Sequence, residues 1–180
     1  IISKIKSVPD GSEVKRNELL LWNKIKEVAQ AGRRTGLGVT GIGDTLAMLG
    51  AKYGSKKSID LTENIYRTLA VGSYESSCHM ATERGAFPVY DFDKEEGHPF
   101  IERLFEAAPE LRELHRDHGR RNIALTTTAP CGSVSVLTQT TSGIEPAFML
   151  KYTRRKKINP NDATAQVDFV DDLGDKWQEF

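Results

Sequence analysis

The sequence predicts an α/β fold. Two observations carry that prediction. Stretches with apolar residues at helical spacing alternate along the chain with short segments that are glycine-punctuated or rich in Ile and Thr. The composition, 38% hydrophobic and 28% charged with Gly and Pro scattered throughout, is that of an ordinary soluble α/β protein, and 180 residues suffice for one domain with a real core. The chain opens on Ile1 rather than Met and stops at Phe180 in a stretch that reads as structured, so it is expected to be an excerpt of something longer.

The elements follow in order. The first ten residues, with Pro9-Asp10-Gly11, read as a connector, after which Ser12 or Asp10 can cap a helix. Leu21, Ile25, Val28 and Ala29 fall at helical spacing and Gly32 ends the pattern. Thr35 to Gly43 reads as a short strand or tight turn, and Asp44 to Leu49 as the start of another helix broken near Gly50. Ser55 or Ser58 opens a long helix through Ile65, Leu69, Met80 and Ala81 to Gly85, followed by a Phe87-Pro88 corner. Residues 99 to 118 read as one helix with Phe100, Leu104, Leu111 and Leu114 on its apolar face, stopped by Gly119. Ile123 to Thr128 is a strand and Phe148 to Tyr152 a further candidate, while the tail from Asn159 combines a polar turn with an acidic, helical end.

Charge and cysteine usage exclude several functions. Lys plus Arg and Asp plus Glu each number 25, so no global charge points to nucleic acid or to an acidic membrane surface. No run of about 18 apolar residues predicts a transmembrane helix, and no signal-peptide pattern opens the chain. Cys78 and Cys131 have neither CxxC nor secreted-scaffold spacing, which makes a reducing, cytoplasmic setting the default.

The most informative stretch is Thr126 to Gly143. Nine of its eighteen residues are Ser or Thr and none is Asp, Glu, Lys or Arg. A hard cation would need carboxylates there, whereas an anion needs donors without negative competitors, which hydroxyls supply. A strand ending at Pro130-Cys131-Gly132 and starting a helix adds free backbone N–H groups and the positive end of a helix dipole. Pro130 presets φ, and Gly132 lets the backbone approach a ligand closely. Residues alone leave two readings: a phosphate cradle, or a hydroxyl-rich loop that satisfies its own backbone.

The remaining candidates have bland readings. Gly36-Leu-Gly38-Val-Thr-Gly41 matches GxGxxG, but a dinucleotide site needs a preceding apolar strand and a helix ending in Arg33-Arg34 precedes it; close packing of backbone elements is the better account. His115 and His118 lack further ligands at zinc spacing and read as surface histidines whose replacement by Ala changes little. Cys78-His79 reads as a buried helix-face thiol without a base, and Glu145 as a structural carboxylate. The basic cluster from Arg154 to Lys157 is expected to form a solvated turn or to pair with Asp168, Asp171 and Asp172 rather than bind phosphate.

Four segments carry a family resemblance. Ala129-Pro130-Cys131-Gly132-Ser133-Val134-Ser135, followed by Thr141-Ser142-Gly143-Ile144-Glu145-Pro146, resembles the APTGTIS…SSGIEP signature of adenosylcobalamin-dependent (class II) ribonucleotide reductases. Arg33-Arg34-Thr35-Gly36-Leu37-Gly38-Val39-Thr40-Gly41 is similar to the RRxGLGVMG element, Glu83 to Pro88 to the ERGxFP turn, and Arg120-Arg121-Asn122 and Tyr152 to Arg155 also fit. Together these cover roughly residues 16 to 160 in the family's order.

The resemblance implies the C-terminal portion of a ten-stranded α/β barrel of the ribonucleotide reductase / glycyl-radical type over residues 1–160, with 161–180 beginning a C-terminal extension. It implies a ribonucleotide substrate, a di- or triphosphate, whose 3′ hydrogen is abstracted by a thiyl radical generated with adenosylcobalamin. The 2′-hydroxyl then leaves and a cysteine pair supplies the electrons. It further implies nucleotide effectors, a thioredoxin-type reductant and a homodimer when full length. By this match Ala129, Pro130, Cys131, Gly132, Ser133, Val134 and Ser135 contact the substrate's phosphates, mostly through backbone N–H, with a hydroxyl from Ser135. Cys131 stands where the family usually has Thr, a weaker donor in place of a hydroxyl. Neither Cys78 nor Cys131 sits in a radical or redox motif, so no catalytic residue is assigned and the excerpt alone is expected not to turn over. A class I large subunit, or a noncatalytic nucleotide-binding or assembly module, remain alternatives.

Overall fold

The computed structural model describes residues 1–7, 11–162 and 164–180. The expected connector at Pro9 and the alternative cap Asp10 lie outside the described residues, whereas α1 (Ile2–Ser7) occupies part of the stretch expected to be irregular and contacts the next helix. Two compact units are present, residues 1–146 and 147–180. No helix among the described residues is long and apolar enough to cross a membrane.

In the first unit the caps fall where the residue types demand. Ser12 accepts the Lys15 N–H at 3.3 Å and opens α2 (Glu13–Gly32); after α3 (Ile42–Met48), Ser55 accepts the Ser58 N–H at 3.3 Å and opens α4 (Lys56–Arg84), closed by Gly85. A short α5 (Phe92–Glu95) was not anticipated. The single helix expected over 99–118 is two, α6 (Pro99–Ala107) and α7 (Glu110–His118). Pro109 is the reason: its ring pushes Ala108 out of the helical region, to φ −148 and ψ 85. α8 (Gly132–Thr138) ends the unit's helices.

The expected strand over 123–128 runs parallel to residues 35–39. Thr35 donates to Ala124 O at 2.9 Å, Leu37 to Leu125 O at 2.8 Å, and Thr127 back to Leu37 O at 2.9 Å, which pairs Leu37 with Thr126 in a parallel bridge. This is a short parallel pair rather than a developed sheet. Leu125 on it joins the core formed by Tyr74 of α4 with Ile101, Leu104, Phe105, Ala108 and Leu111 from α6 and α7. A second cluster, Ile42, Leu46 and Ala51, packs against Val39, Leu61, Ile65 and Ile144.

The second unit departs from expectation. Phe148 to Tyr152 forms no strand, and the tail ends in strands rather than a helix: β1 (Arg155–Lys157), β2 (Phe169–Val170) and β3 (Lys176–Glu179) make an antiparallel sheet ordered β1-β3-β2. Asp171 sets the turn, its carboxylate accepting from the N–H groups of Leu173 (3.0 Å) and Asp175 (2.9 Å) and from Trp177 Nε1 (2.8 Å). The basic cluster does pair with the tail, through Arg155–Glu179 (2.7 Å), which the strand register sets opposite each other, and through Lys157–Asp175, just before β3, rather than through Asp168, Asp171 and Asp172.

His115 requires a correction. It is fully buried, stacked on Tyr74 (6.0 Å between centroids) and edge-on to Phe105 (5.2 Å), not on the surface; it lies four residues after Leu111, on the same helical stripe. Neither ring nitrogen has a hydrogen-bond partner, and Glu95 Oε2 lies 4.0 Å from Nδ1. Burial, and then the neighbouring Arg120 charge, lower its pKa to about 4. Because the folded value lies below the ordinary 6.5, the contribution is complete above pH 6.5 and is lost as pH falls towards 4. The expected result is that acid lowers the denaturation midpoint of wild type across that window more than that of His115→Leu, which carries no titrating ring; equal slopes would contradict it. His118 is exposed, as expected.

Candidate functional site

The parallel pair sets the geometry. Residues 35–39 and 123–128 run in the same direction, so Gly41 with α3 and Ala129 with α8 follow from the same, carboxyl-terminal end of the pair. In α/β proteins this end is where ligands collect, because chain reversals there expose helix N-termini. The glycine element packs against the second strand as expected. A Cβ on Gly36 would sit 2.9 Å from Thr127 Cγ2, and one on Gly38 would collide with the Thr127 carbonyl oxygen. The GxGxxG match is therefore close backbone packing.

From this base the loop is built inward. Asp44 Oδ2 accepts the Thr141 N–H at 2.6 Å, Gly41 donates to Thr141 O at 2.9 Å and Ile42 to Gly143 O at 3.2 Å. Residues 141–143 are thus clamped to the start of α3, and Ser142 O in turn accepts the Cys131 N–H at 2.9 Å. A chain of hydrogen bonds runs from Asp44 through 141–143 to the turn at Cys131. Sequence reasoning missed Asp44; its place in the first turn of α3, beyond the glycines, was the available signal.

Within 129–135 the polar groups divide. Cys131 N–H is held by Ser142, and Gly132 N–H reaches Pro130 O at 3.1 Å. Ser135 N–H bonds Cys131 O at 2.9 Å, and the Ser135 hydroxyl donates to Gly132 O at 2.8 Å. Cys131 Sγ lies 3.4 Å from Ala129 O. The N–H groups of Ser133 and Val134, the second and third residues of α8, have no protein acceptor among the described residues. Gly132, Ser133 and Val134 are exposed, and a Cβ on Gly132 would meet nothing within 4 Å. The turn thus offers two adjacent unengaged amides and the Ser133 hydroxyl; two carboxylates reach the neighbouring 141–143 stretch, Asp44 on the Thr141 N–H and Glu145 against Gly143.

Arg120-Arg121-Asn122 supports this arrangement from the other end of the strand. Arg120 is 4% exposed; its guanidinium pairs with both Glu95 oxygens and donates to the carbonyls of Asn122 and Ile123. Asn122 bonds the buried Ser77 hydroxyl (3.0 Å) and Arg33 O (2.8 Å). Cys78 beside it is buried and burial pushes its thiol up to about 12, which makes it inert, as expected of a helix-face thiol.

Cavities of about 710 and 590 Å³ flank α4, lined by side chains such as Tyr66 and Phe100 in the first and Leu69 and Met80 in the second. No cluster of three or more His, Cys, Asp or Glu suited to a metal occurs among the described residues.

The family model for the barrel domain of ribonucleotide reductase matches residues 14–176. A vitamin B12-dependent ribonucleoside-diphosphate reductase of Mycobacterium tuberculosis is 33% identical over 131 residues, 73% of this chain and 16% of that protein. The protein of the same name from Thermoplasma acidophilum is 30% identical over 134 residues, 73% of this chain and 15% of that one. A ribonucleoside-diphosphate reductase large chain of Encephalitozoon cuniculi is 31% identical over 135 residues, covering 68% and 17%. The chain spans about a sixth of the length of these relatives.

Proposed function

Because the chain belongs to the ribonucleotide reductase family, in its barrel domain, we propose that it is part of an adenosylcobalamin-dependent reductase that converts ribonucleotides to 2′-deoxyribonucleotides, and that this segment seats the substrate's phosphates. The observation that carries the second statement is the pair of unengaged amides at Ser133 and Val134, in an acid-free stretch at the carboxyl end of two parallel strands. Phosphoryl oxygens are matched by such N–H groups at a helix start, where the dipole adds roughly half a positive charge.

On this reading Ala129 and Pro130 bring the backbone in, and the Cys131 N–H bond to Ser142 fixes the turn. Gly132 leaves room for the phosphates, and Ser133 and Val134 supply the N–H donors. Ser133 adds a hydroxyl, while the hydroxyl of Ser135 holds the turn through Gly132 O. The segment binds and orients; radical chemistry is assigned to other parts of the polypeptide, with cobalamin supplying the initiating radical when bound. Residues 1–160 are proposed as the barrel portion and 161–180 as the start of an extension, an assignment that must accommodate the pairing of β1 with β3. A thioredoxin-type reductant, nucleotide effectors, a homodimer and a cytoplasmic setting complete the proposal.

The relatives named for B12 dependence favour cobalamin over a separate radical subunit. The full-length protein carrying this segment is expected to form deoxyribonucleotide when given adenosylcobalamin and a dithiol. Turnover only with a metal-containing partner subunit would assign it to the other class, and nucleotide binding without turnover under either condition would leave a noncatalytic module. Asp44 provides a finer test. Asp44→Ala removes the acceptor for Thr141 N–H and is expected to raise KM for the ribonucleotide about tenfold, the worth of one hydrogen bond to a charged group. Asp44→Asn, whose carbonyl can still accept, should restore most of it; unchanged KM in both would remove the clamp from the site.

A further inference from the structure

Three motifs meet at the opposite, amino-terminal end of the parallel strands. Arg33 caps α2, Arg84 ends α4, and Arg121 precedes the second strand. Backbone and side-chain bonds knit them together. Arg121 Nη1 donates to Arg84 O (2.7 Å) and Gly85 O (2.9 Å), Asn122 Nδ2 donates to Arg33 O (2.8 Å), and Ile123 N–H donates to Gly32 O (2.8 Å).

Charge is left over at this junction. Among the described residues none of Arg33, Arg84 and Arg121 forms an ion pair, and neither does Glu83 beside them. Arg33 Nη1 is buried without any hydrogen-bond partner. Burial, and next the charges of Arg33 and Arg84, hold the Arg121 guanidinium below its ordinary value. Two helix C-termini meet here and offset about half a charge each. Three guanidiniums against roughly one negative charge from the helix ends and one from Glu83 leave about one positive charge uncompensated. An anion balances that, and guanidinium forks match the oxygens of a phosphoryl group.

We propose that Arg33, Arg84 and Arg121 form a second anion site, for a phosphate dianion or the phosphoryl group of a nucleotide, at the end of the strands opposite to the loop at 129–135. The strand between Asn122 and Ala129 separates the two sites by roughly 20 Å at about 3.3 Å per residue.

The test is the thermal midpoint of the full-length protein titrated with inorganic phosphate, then with a ribonucleoside monophosphate, at constant ionic strength set with chloride. Wild type is expected to show a saturable rise in Tm. Arg84 is exposed and its side chain forms no ion pair among the described residues; Arg84→Gln is expected to raise the half-saturating phosphate concentration about tenfold, the worth of one charge-assisted contact. Gly132→Glu should leave this transition in place. A monophosphate acting like inorganic phosphate would identify the phosphoryl group as the whole ligand, and one acting at lower concentration would identify a nucleotide; both uphold the site. No saturable rise in wild type, an identical curve in Arg84→Gln, or a curve displaced only by Gly132→Glu would overturn it.

Discussion

Replacing Gly132 by Glu is expected to weaken ribonucleotide binding by the full-length protein about 100-fold while leaving its thermal midpoint unchanged. The two halves of that expectation have separate causes. A Cβ at the exposed position 132 would meet no atom within 4 Å, so a side chain can leave the backbone there without a clash. A carboxylate there stands roughly 5 Å from phosphates held at Ser133 and Val134, and at an effective dielectric of about 20 each unit charge so placed costs about 3 kcal/mol, near two decades in Kd. Gly132→Gln separates charge from bulk: it should cost much less than Glu if repulsion dominates. Equal affinity in all three proteins, by equilibrium dialysis against the ribonucleotide, would take the loop out of the substrate site without touching the arginine cluster.

Replacing Arg120 by Met is expected to be the most destabilising single change in the segment, by about 3–5 kcal/mol. Arg120 is 4% exposed, and its removal leaves the partly buried Glu95 with an unmatched charge and the carbonyls of Asn122 and Ile123 without their Arg120 donor. Removing one partner leaves the other's desolvation uncompensated, and that asymmetry makes breaking such a pair dearer than never having it. The midpoint of urea unfolding should fall accordingly, and Glu95→Gln combined with Arg120→Met should be less damaging than the sum of the two. Strict additivity would show that the pair does not act as a unit.

Much of this fold is legible because local rules decided it. Ser12 and Ser55 cap, Gly85 and Gly119 stop, and the β-branched run at 123–128 extends as its residues prefer. Where expectation failed, a competing local rule or a distant partner prevailed. Pro109 divided one helix into two despite continuous apolar spacing. In the tail, acidic residues suggested a helix, but Asp171 used its carboxylate to build a turn and Phe169 stacked on Trp177 across β2 and β3. His115 was misjudged because its polarity outweighed its position four residues after Leu111.

The loop was visible as composition, but the sorting of its amides was not. Which N–H groups stay unengaged depends on Ser142, a residue eleven positions away whose carbonyl is aimed by Asp44 and Gly41 across the chain. The Arg33, Arg84 and Arg121 junction was likewise present in the sequence only as three separate motifs; the parallel pairing of 35–39 with 123–128 brings them together.

The decisive measurement is a crystal structure of the full-length protein with a ribonucleotide bound. Phosphoryl oxygens should lie within hydrogen-bond distance, about 2.7–3.2 Å, of the amide nitrogens of Ser133 and Val134. Phosphates bound elsewhere, with those two amides facing acceptors from another part of the polypeptide, would contradict the account.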